Sequence, residues 1–336
     1  MRFDLARLAV TAGVLATAGA LSPEDIPGDL PVSSLLTTAQ THMIKGETSE
    51  AIMYYDAAIA RDPSNYLSVF KRATAYLSLG RSSQATEDFN QVLKLKPGFE
   101  GAHVQLAKIK AKVADWEGAR AEYVSANKAE DSPELEELTA AQTAAGAAVE
   151  AEKAQQWDDC INNAGTAIYV APRAAALREV RARCRFEKGE VEEGMGDLQH
   201  VLHLKPGNTT PHLIISATSF YGLGDMENGL AQIRKCLHSD PDSKVCKKLH
   251  KQEKAISKAF AKAQGQLNKG QITTAGRTIV GTAEDEGLIP KVQKQVEELR
   301  AEGAIPTQAK IQLYDTLVEM ACQAYSEVRS PFILYR

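Results

Sequence analysis

The chain has 336 residues, with 39 Lys plus Arg against 43 Asp plus Glu and a formal net charge of −4. That near balance argues against a nucleic-acid binder working through a basic face, and five cysteines exclude a disulfide-dense small fold. With 44% hydrophobic and 24% charged residues the composition is that of a folded chain, long enough for two or three domains.

Residues 1–20 read as an address. Arg2 and Arg7 supply a basic start, the run from Leu8 to Ala20 carries no charge, and Ala18-Gly19-Ala20 offers small residues ahead of Leu21-Ser22-Pro23. This is the layout of a secretory signal peptide. The alternative is an amphipathic mitochondrial presequence, and Asp4 and the unbroken apolar run count against it. The run is too short to span a bilayer, and no later stretch is long and apolar enough to do so. The expectation is a mature chain in the secretory pathway, in the oxidising lumen of the endoplasmic reticulum, with no membrane span.

The body repeats itself. Pro63 to Pro97 is 34 residues, Pro172 to Pro206 is 34 and Pro206 to Pro241 is 35. A 34-residue period ending in proline is the mark of the tetratricopeptide repeat (TPR), a helix–turn–helix unit. Counted from residues 32, 66, 100, 141, 175 and 210, position 8 is Ala39, Ala73, Ala107, Ala148, Ala182 and Ala217. Position 20 is Ala51, Ala85, Ala119, Cys160, Gly194 and Gly229, and Gly46, Gly80, Gly189 and Gly224 fall at position 15. Small residues at 8 and 20 let the two helices of a hairpin approach. Glycine at 15 permits the tight turn, and the final proline ends the second helix. A weaker seventh unit begins near Ile256. Stacked hairpins of this kind form an all-α TPR solenoid, here of about seven and a half repeats.

Two segments break the period and read as long helices, 134–151 and the Lys-rich 243–266. The expected organisation is a first TPR block over 32–140, a second over 141–255 and a partial third over 256–328, followed by an atypical tail, 329–336. The segment from Ala309 to Val328 reads as the first helix of an eighth repeat with no second helix after it. That ending suggests a truncated or misread gene product.

No nucleotide-binding, nucleophile-elbow or metalloprotease signature occurs, so no enzyme, cofactor or metal is expected. His200 and His203 are three apart on a helix, but no carboxylate or cysteine cluster stands beside them, and a solvated face is the better reading. Trp116 and Trp157 share position 17 of their repeats, which marks packing residues.

The first helices of the repeats point positions 2, 5, 9 and 12 at the concave side of a TPR array. In the first three repeats these include Leu36, Met43, Leu67, Phe70, Leu77 and Val104. An apolar exposed patch marks a binding site, and burying about 300 Å² there yields ~7 kcal/mol before association costs. The opposing reading is that these side chains turn into the hairpin core. Cys236 and Cys246 lie across the Pro241 corner, close enough to pair, the alternative being two free buried thiols. Cys160 and Cys184, on neighbouring repeats, read as packing residues, and Cys322 is left over. Asn208-Thr209-Thr210 is a possible N-glycosylation sequon.

The stretches Ala58-Ile-Ala-Arg-Asp-Pro-Ser-Asn-Tyr66, Phe70-Lys-Arg-Ala-Thr-Ala-Tyr-Leu-Ser-Leu-Gly80 and Ala85-Thr-Glu-Asp-Phe-Asn-Gln-Val-Leu-Lys-Leu-Lys-Pro97, with Arg181-Ala-Arg-Cys184 before Gly189-Glu190, resemble the lumenal TPR and J-domain co-chaperones. The Cys236-to-Cys246 spacing is similar to a disulfide of that family. The resemblance covers about residues 32 to 328. It implies nine repeats in three blocks and then a J domain, with unfolded clients bound by an apolar patch in the first block. In that family the J domain stimulates ATP hydrolysis by BiP, the lumenal Hsp70-type chaperone. The present sequence carries no His-Pro-Asp tripeptide, so the expectation is a chain that holds clients without activating BiP. The carboxylate clamp of cytosolic TPR proteins is absent, its positions being Leu36, Gln40, Lys71, Gly101 and Gln105. The competing functional reading is a structural TPR scaffold that binds one folded partner.

Overall fold

The computed structural model describes residues 26–326, and the signal-peptide and tail segments lie outside them. Among the described residues there are sixteen α-helices, one five-residue π-helical turn and no strand. The helices pair as hairpins: α1 (Val32–Lys45) with α2 (Thr48–Arg61), α3 (Tyr66–Ser78) with α4 (Ser82–Leu95), and α5 (Glu100–Ala111) with α6 (Trp116–Ser125). There follow α7 (Pro133–Lys153) with α8 (Trp157–Val170), α9 (Ala175–Lys188) with α10 (Val191–Leu204), and α11 (Thr209–Ala217) with α12 (Met226–Ser239). The long helix α13 (Lys244–Asn268) pairs with the short α14 (Ile272–Val280), and α15 (Leu288–Ala301) and α16 (Gln312–Ser326) close the described chain. This is the helical-hairpin architecture of a TPR solenoid.

The repeat chemistry accounts for the hairpins. The alanines at position 8 and the small residues at position 20 are buried in every one of the first six repeats. At Gly229 a Cβ would stand 2.6 Å from the Cβ of Phe220 and 3.0 Å from the carbonyl oxygen of Ser216, and at Gly194 a Cβ would stand 2.4 Å from the Phe186 ring. Position 15 is left-handed throughout. It is glycine in four repeats (Gly46, φ 80°; Gly80, 72°; Gly189, 93°; Gly224, 71°), but Ala114 and Gln155 adopt φ 65° and 60° at the same place. The turn geometry is dictated by the hairpin, and these two side chains are forced into it.

The chain forms two compact units. The first comprises the described residues up to Ile109 together with Glu122–Asn127, and the second comprises Lys110–Ala121 and the described residues from Lys128 onward. The division falls inside the third repeat.

In the first unit, Val69, Ala73, Ala85, Phe89, Val92, Ala102 and Leu106 form one core, and Ala39, Ala51, Ile52, Tyr55 and Ala75 another. Asn65 caps α3, its side-chain oxygen accepting from the amides of Leu67 and Ser68.

In the second unit, α15 is an element that the repeat period does not mark. It buries Leu288, Val292, Val296 and Leu299 in the same core as Phe220, Tyr221 and Ile233 of the sixth repeat. The π-turn Thr218–Gly222 at the end of α11 is wholly buried. Its wider winding places the adjacent Phe220 and Tyr221 together in the core, where their rings lie 4.8 Å apart. The Tyr221 hydroxyl donates to Gln295 Oε1 of α15 at 2.6 Å, and burial together with the nearby Glu253 raises its pKa.

Candidate functional site

The six apolar residues singled out on the first helices all lie in the first unit. None is fully buried. Leu67 is 40% exposed, while Leu36, Met43, Phe70, Leu77 and Val104 are half-buried. Leu36 packs against the Leu35–Ala58 cluster on one side and the Ala39–Tyr55 cluster on the other. Met43 leans on the latter, and Phe70 and Leu77 lean on the Val69–Phe89 core. The Phe70 ring lies 5.6 Å from that of Phe89 and 5.1 Å from that of Phe99. Leu36, Met43, Phe70 and Leu77 therefore each anchor in a hairpin and leave only part of their surface to solvent, and Val104, at the repeat position of Leu36 and Phe70, is half-buried.

Local details shape this face. Gly101 has no side chain to set against Phe70: a Cβ there would stand 3.3 Å from the Phe70 ring tip and 3.0 Å from Phe99. Lys71 donates to Gln40 Oε1 at 3.1 Å, tying α1 to α3 beside the apolar positions. Ile44, 80% exposed at the end of α1, is a further apolar surface that repeat position did not single out.

Ion pairs brace the hairpins behind the face. Arg72 grips Asp88 in two-pronged fashion, Nε to Oδ2 at 2.8 Å and NH2 to Oδ1 at 2.7 Å, and also donates to Asp56 at 2.8 Å. These carboxylates, Asp88 above all, push the Arg72 pKa further up against the opposing effect of burial.

In the second unit Cys236 and Cys246 are joined by a disulfide, with Cα atoms 6.4 Å apart. Cys160 and Cys184, read as packing residues, are joined as well, with Cα atoms 6.3 Å apart. The correction has a plain cause: α8 packs directly against α9, and each cysteine sits on the contact line, fully buried. Cys322 is free and exposed. Trp116 and Trp157 pack against alanine-rich clusters. His200 and His203 are exposed on α10. Asn208 borders a groove of about 990 Å³ with Trp157, Phe186, Ile214 and Ile305, and its Nδ2 donates to Glu179 Oε1 at 3.1 Å. Among the described residues no helix is long and apolar enough to cross a membrane.

Residues 36–98 match a tetratricopeptide-repeat family model. Over 97% of its length the chain is 65% identical to a protein of Fusarium oxysporum f. sp. lycopersici named tetratricopeptide repeat and J domain-containing co-chaperone DNJ1, of which it covers 63%. A protein of the same name from Cryptococcus neoformans var. grubii is 33% identical over 79% of the chain and 51% of that protein. Human DnaJ homolog subfamily C member 3 is 30% identical over 68% of the chain and 47% of that protein. The chain thus spans roughly half to three fifths of these relatives. The crystal structure of the P58(IPK) TPR domain superposes with a TM-score of 0.69 and 26% identity, covering 88% of this chain and 78% of that one. The hairpin architecture, the repeat match and the identity over nearly the whole chain place it in the family of TPR- and J-domain-containing co-chaperones.

Proposed function

We propose that this chain is the client-holding part of a co-chaperone of the endoplasmic reticulum lumen, which takes up unfolded or misfolded proteins on the apolar face of its first three repeats for delivery to a BiP-type chaperone. The observation that carries the reading is the set formed by Leu36, Phe70 and Val104 with Met43, Leu67 and Leu77: all are partly open to solvent, and Leu36, Met43, Phe70 and Leu77 are anchored in hairpin cores. Side chains of this kind bind apolar segments without collapsing in their absence, and they impose no sequence code. Two disulfides, Cys160–Cys184 and Cys236–Cys246, favour an oxidising compartment, as does the basic-then-apolar start of the sequence. The role is binding rather than catalysis, and ATPase stimulation is assigned to no residue of this chain.

The test is suppression of aggregation of a chemically denatured model enzyme, followed by light scattering. The wild-type chain is expected to suppress it. Leu67→Asp and Phe70→Asp are expected to lose most of the effect, and melting curves identify any loss due to unfolding. Leu67, the more exposed of the two, is the cleaner probe. Full activity in Leu67→Asp together with a folded Phe70→Asp variant would defeat the assignment. A chain that ignores denatured proteins and captures one folded partner would be the scaffold instead.

A further inference from the structure

Helix α13 carries a second surface, of opposite character to the apolar face. Between Lys244 and Asn268 the sequence holds seven lysines and one acid, Glu253, which is fully buried. Five of the lysines, at 247, 251, 254, 258 and 262, follow one another at intervals of three or four residues and are exposed. Such residues share one face of a helix. Leu249, Glu253, Ile256 and Ala263 occupy the buried face, diametrically across the axis at 100° per residue. The result is a straight cationic row ~22 Å long at 1.5 Å per residue, on a chain whose overall charge is negative.

The row is not neutralised from within. Among the described residues Lys251, Lys254, Lys258 and Lys262 make no ion pair or hydrogen bond. Carboxylates approach only at its margins: Asp242 lies 3.4 Å from Lys247, and Glu302 pairs with the neighbouring Lys248 at 2.9 Å. Asp285 is held by Lys291 at 2.8 Å and also feels the charge of Lys262 at the far end of the row. Like charges at this spacing repel by a few tenths of a kcal/mol per pair. The repulsion persists in the free chain, and a partner carrying the opposite charge would relieve it.

We propose that the lysine row of α13 is a docking surface for an acidic polypeptide segment. Three features choose that partner. The apolar stripe of α13 is spent on the core, so nothing remains to enter a lipid interface as an amphipathic membrane helix requires. The row holds no arginine for two-pronged phosphate recognition and no aromatic side chain for base stacking, which disfavours nucleic acid. Its spacing of ~5–6 Å per lysine approaches the ~6.6 Å between alternate residues of an extended strand. An extended run of acidic residues can therefore meet successive lysines, about seven residues spanning the whole row. The surface lies outside the first unit and does not depend on the client-binding assignment.

The probe is a fluorescein-labelled oligoglutamate peptide of that length, titrated into the full chain and followed by fluorescence anisotropy. Binding is expected at low salt and is expected to weaken steeply as ionic strength rises. The variant K251E/K254E/K258E/K262E is expected to bind at least about tenfold more weakly, the corresponding Lys→Gln variant to fall between, and the Lys→Arg variant to retain binding. Because these side chains are exposed and unpaired, circular dichroism should be unchanged throughout. Equal affinity of wild type and the charge-reversed variant would overturn the proposal. So would binding of phosphatidylserine-containing vesicles or duplex RNA in place of the peptide, or no peptide binding at low salt.

Discussion

Arg181 grips Asp197 with both prongs of its guanidinium, Nε to Oδ2 at 2.8 Å and NH2 to Oδ1 at 2.5 Å, linking the two helices of the fifth repeat. The pair repeats the one between Arg72 and Asp88 at the same two positions of the second repeat, 7 and 23. Asp197 is 2% exposed, and Arg185 reaches it as well, at 2.7 Å. A buried carboxylate among guanidinium groups is tolerated because each charge compensates the others; removing one member leaves the rest unpaired.

Asp197→Asn is accordingly expected to destabilise the second unit by about 3 kcal/mol or more, read as a lower urea midpoint. Asp56→Asn, which removes only the half-exposed third contact of Arg72, should cost less than about 1 kcal/mol.

Glu253 predicts a pH dependence. Its carboxyl is fully buried and approaches the Ser216 hydroxyl at 2.9 and 3.1 Å, while that hydroxyl lies 2.8 Å from the Gly229 carbonyl. The Ser216 hydroxyl is the donor in these contacts and has a single proton to share between the Glu253 carboxyl and the Gly229 carbonyl. Burial, partly opposed by the Ser216 hydrogen bond, pushes its pKa from 4.5 up to about 8. Between those values the unfolded chain releases a proton that the folded chain keeps, so stability falls as pH rises through that window. It is highest below about pH 4.5 and level above about pH 8 for this group. The fall is on the order of 5 kcal/mol at 1.36 kcal/mol per pKa unit. Urea denaturation across this range should show the slope in wild type and its loss in Glu253→Gln.

Ala114 and Gln155 occupy left-handed turns that the other repeats give to glycine. Ala114→Gly and Gln155→Gly should each stabilise the chain by roughly 0.5–1 kcal/mol, the relief of a 1–2 kcal/mol backbone penalty less the added flexibility of the unfolded chain. Calorimetry should show a raised melting temperature.

Gly229→Ala should act in the opposite direction. The new methyl would meet Phe220 and the Ser216 backbone at 2.6–3.1 Å, costing about 1–3 kcal/mol. Gly196, in α10 with nothing within 4 Å of its Cβ position, is the control: Gly196→Ala should stabilise by up to ~1 kcal/mol through helix propensity. Similar shifts of the same sign in both variants would refute the close-approach account.

The two disulfides close chain segments of different length, with sequence separations of 24 and 10. On the chain-entropy model, replacing Cys160 and Cys184 by alanine should cost about 3 kcal/mol. Replacing Cys236 and Cys246 should cost somewhat less, by under ~1 kcal/mol.

The repeat phase was legible because its determinants are local and recur. Alanines at position 8, glycines at position 15 and prolines at the repeat ends each meet a steric demand of the hairpin, and each leaves a residue type that can be counted. Helix α15 left no such trace. Leu288, Val292, Val296 and Leu299 recur at helical spacing, but the segment matches no repeat position, and its place is set by the core it shares with Phe220 and Tyr221.

Composition and period alone determined an all-helical array of hairpins, since close packing of two helices and a left-handed turn admit few residue types. Only the tertiary structure decided that Cys160 meets Cys184, that Glu253 is buried against Ser216, and how far Phe70 and Leu67 open to solvent. Those outcomes depend on which faces meet between helices far apart in the chain. The same alphabet of small and apolar residues serves both a covered face and an open one, so exposure is written in the packing and not in the letters.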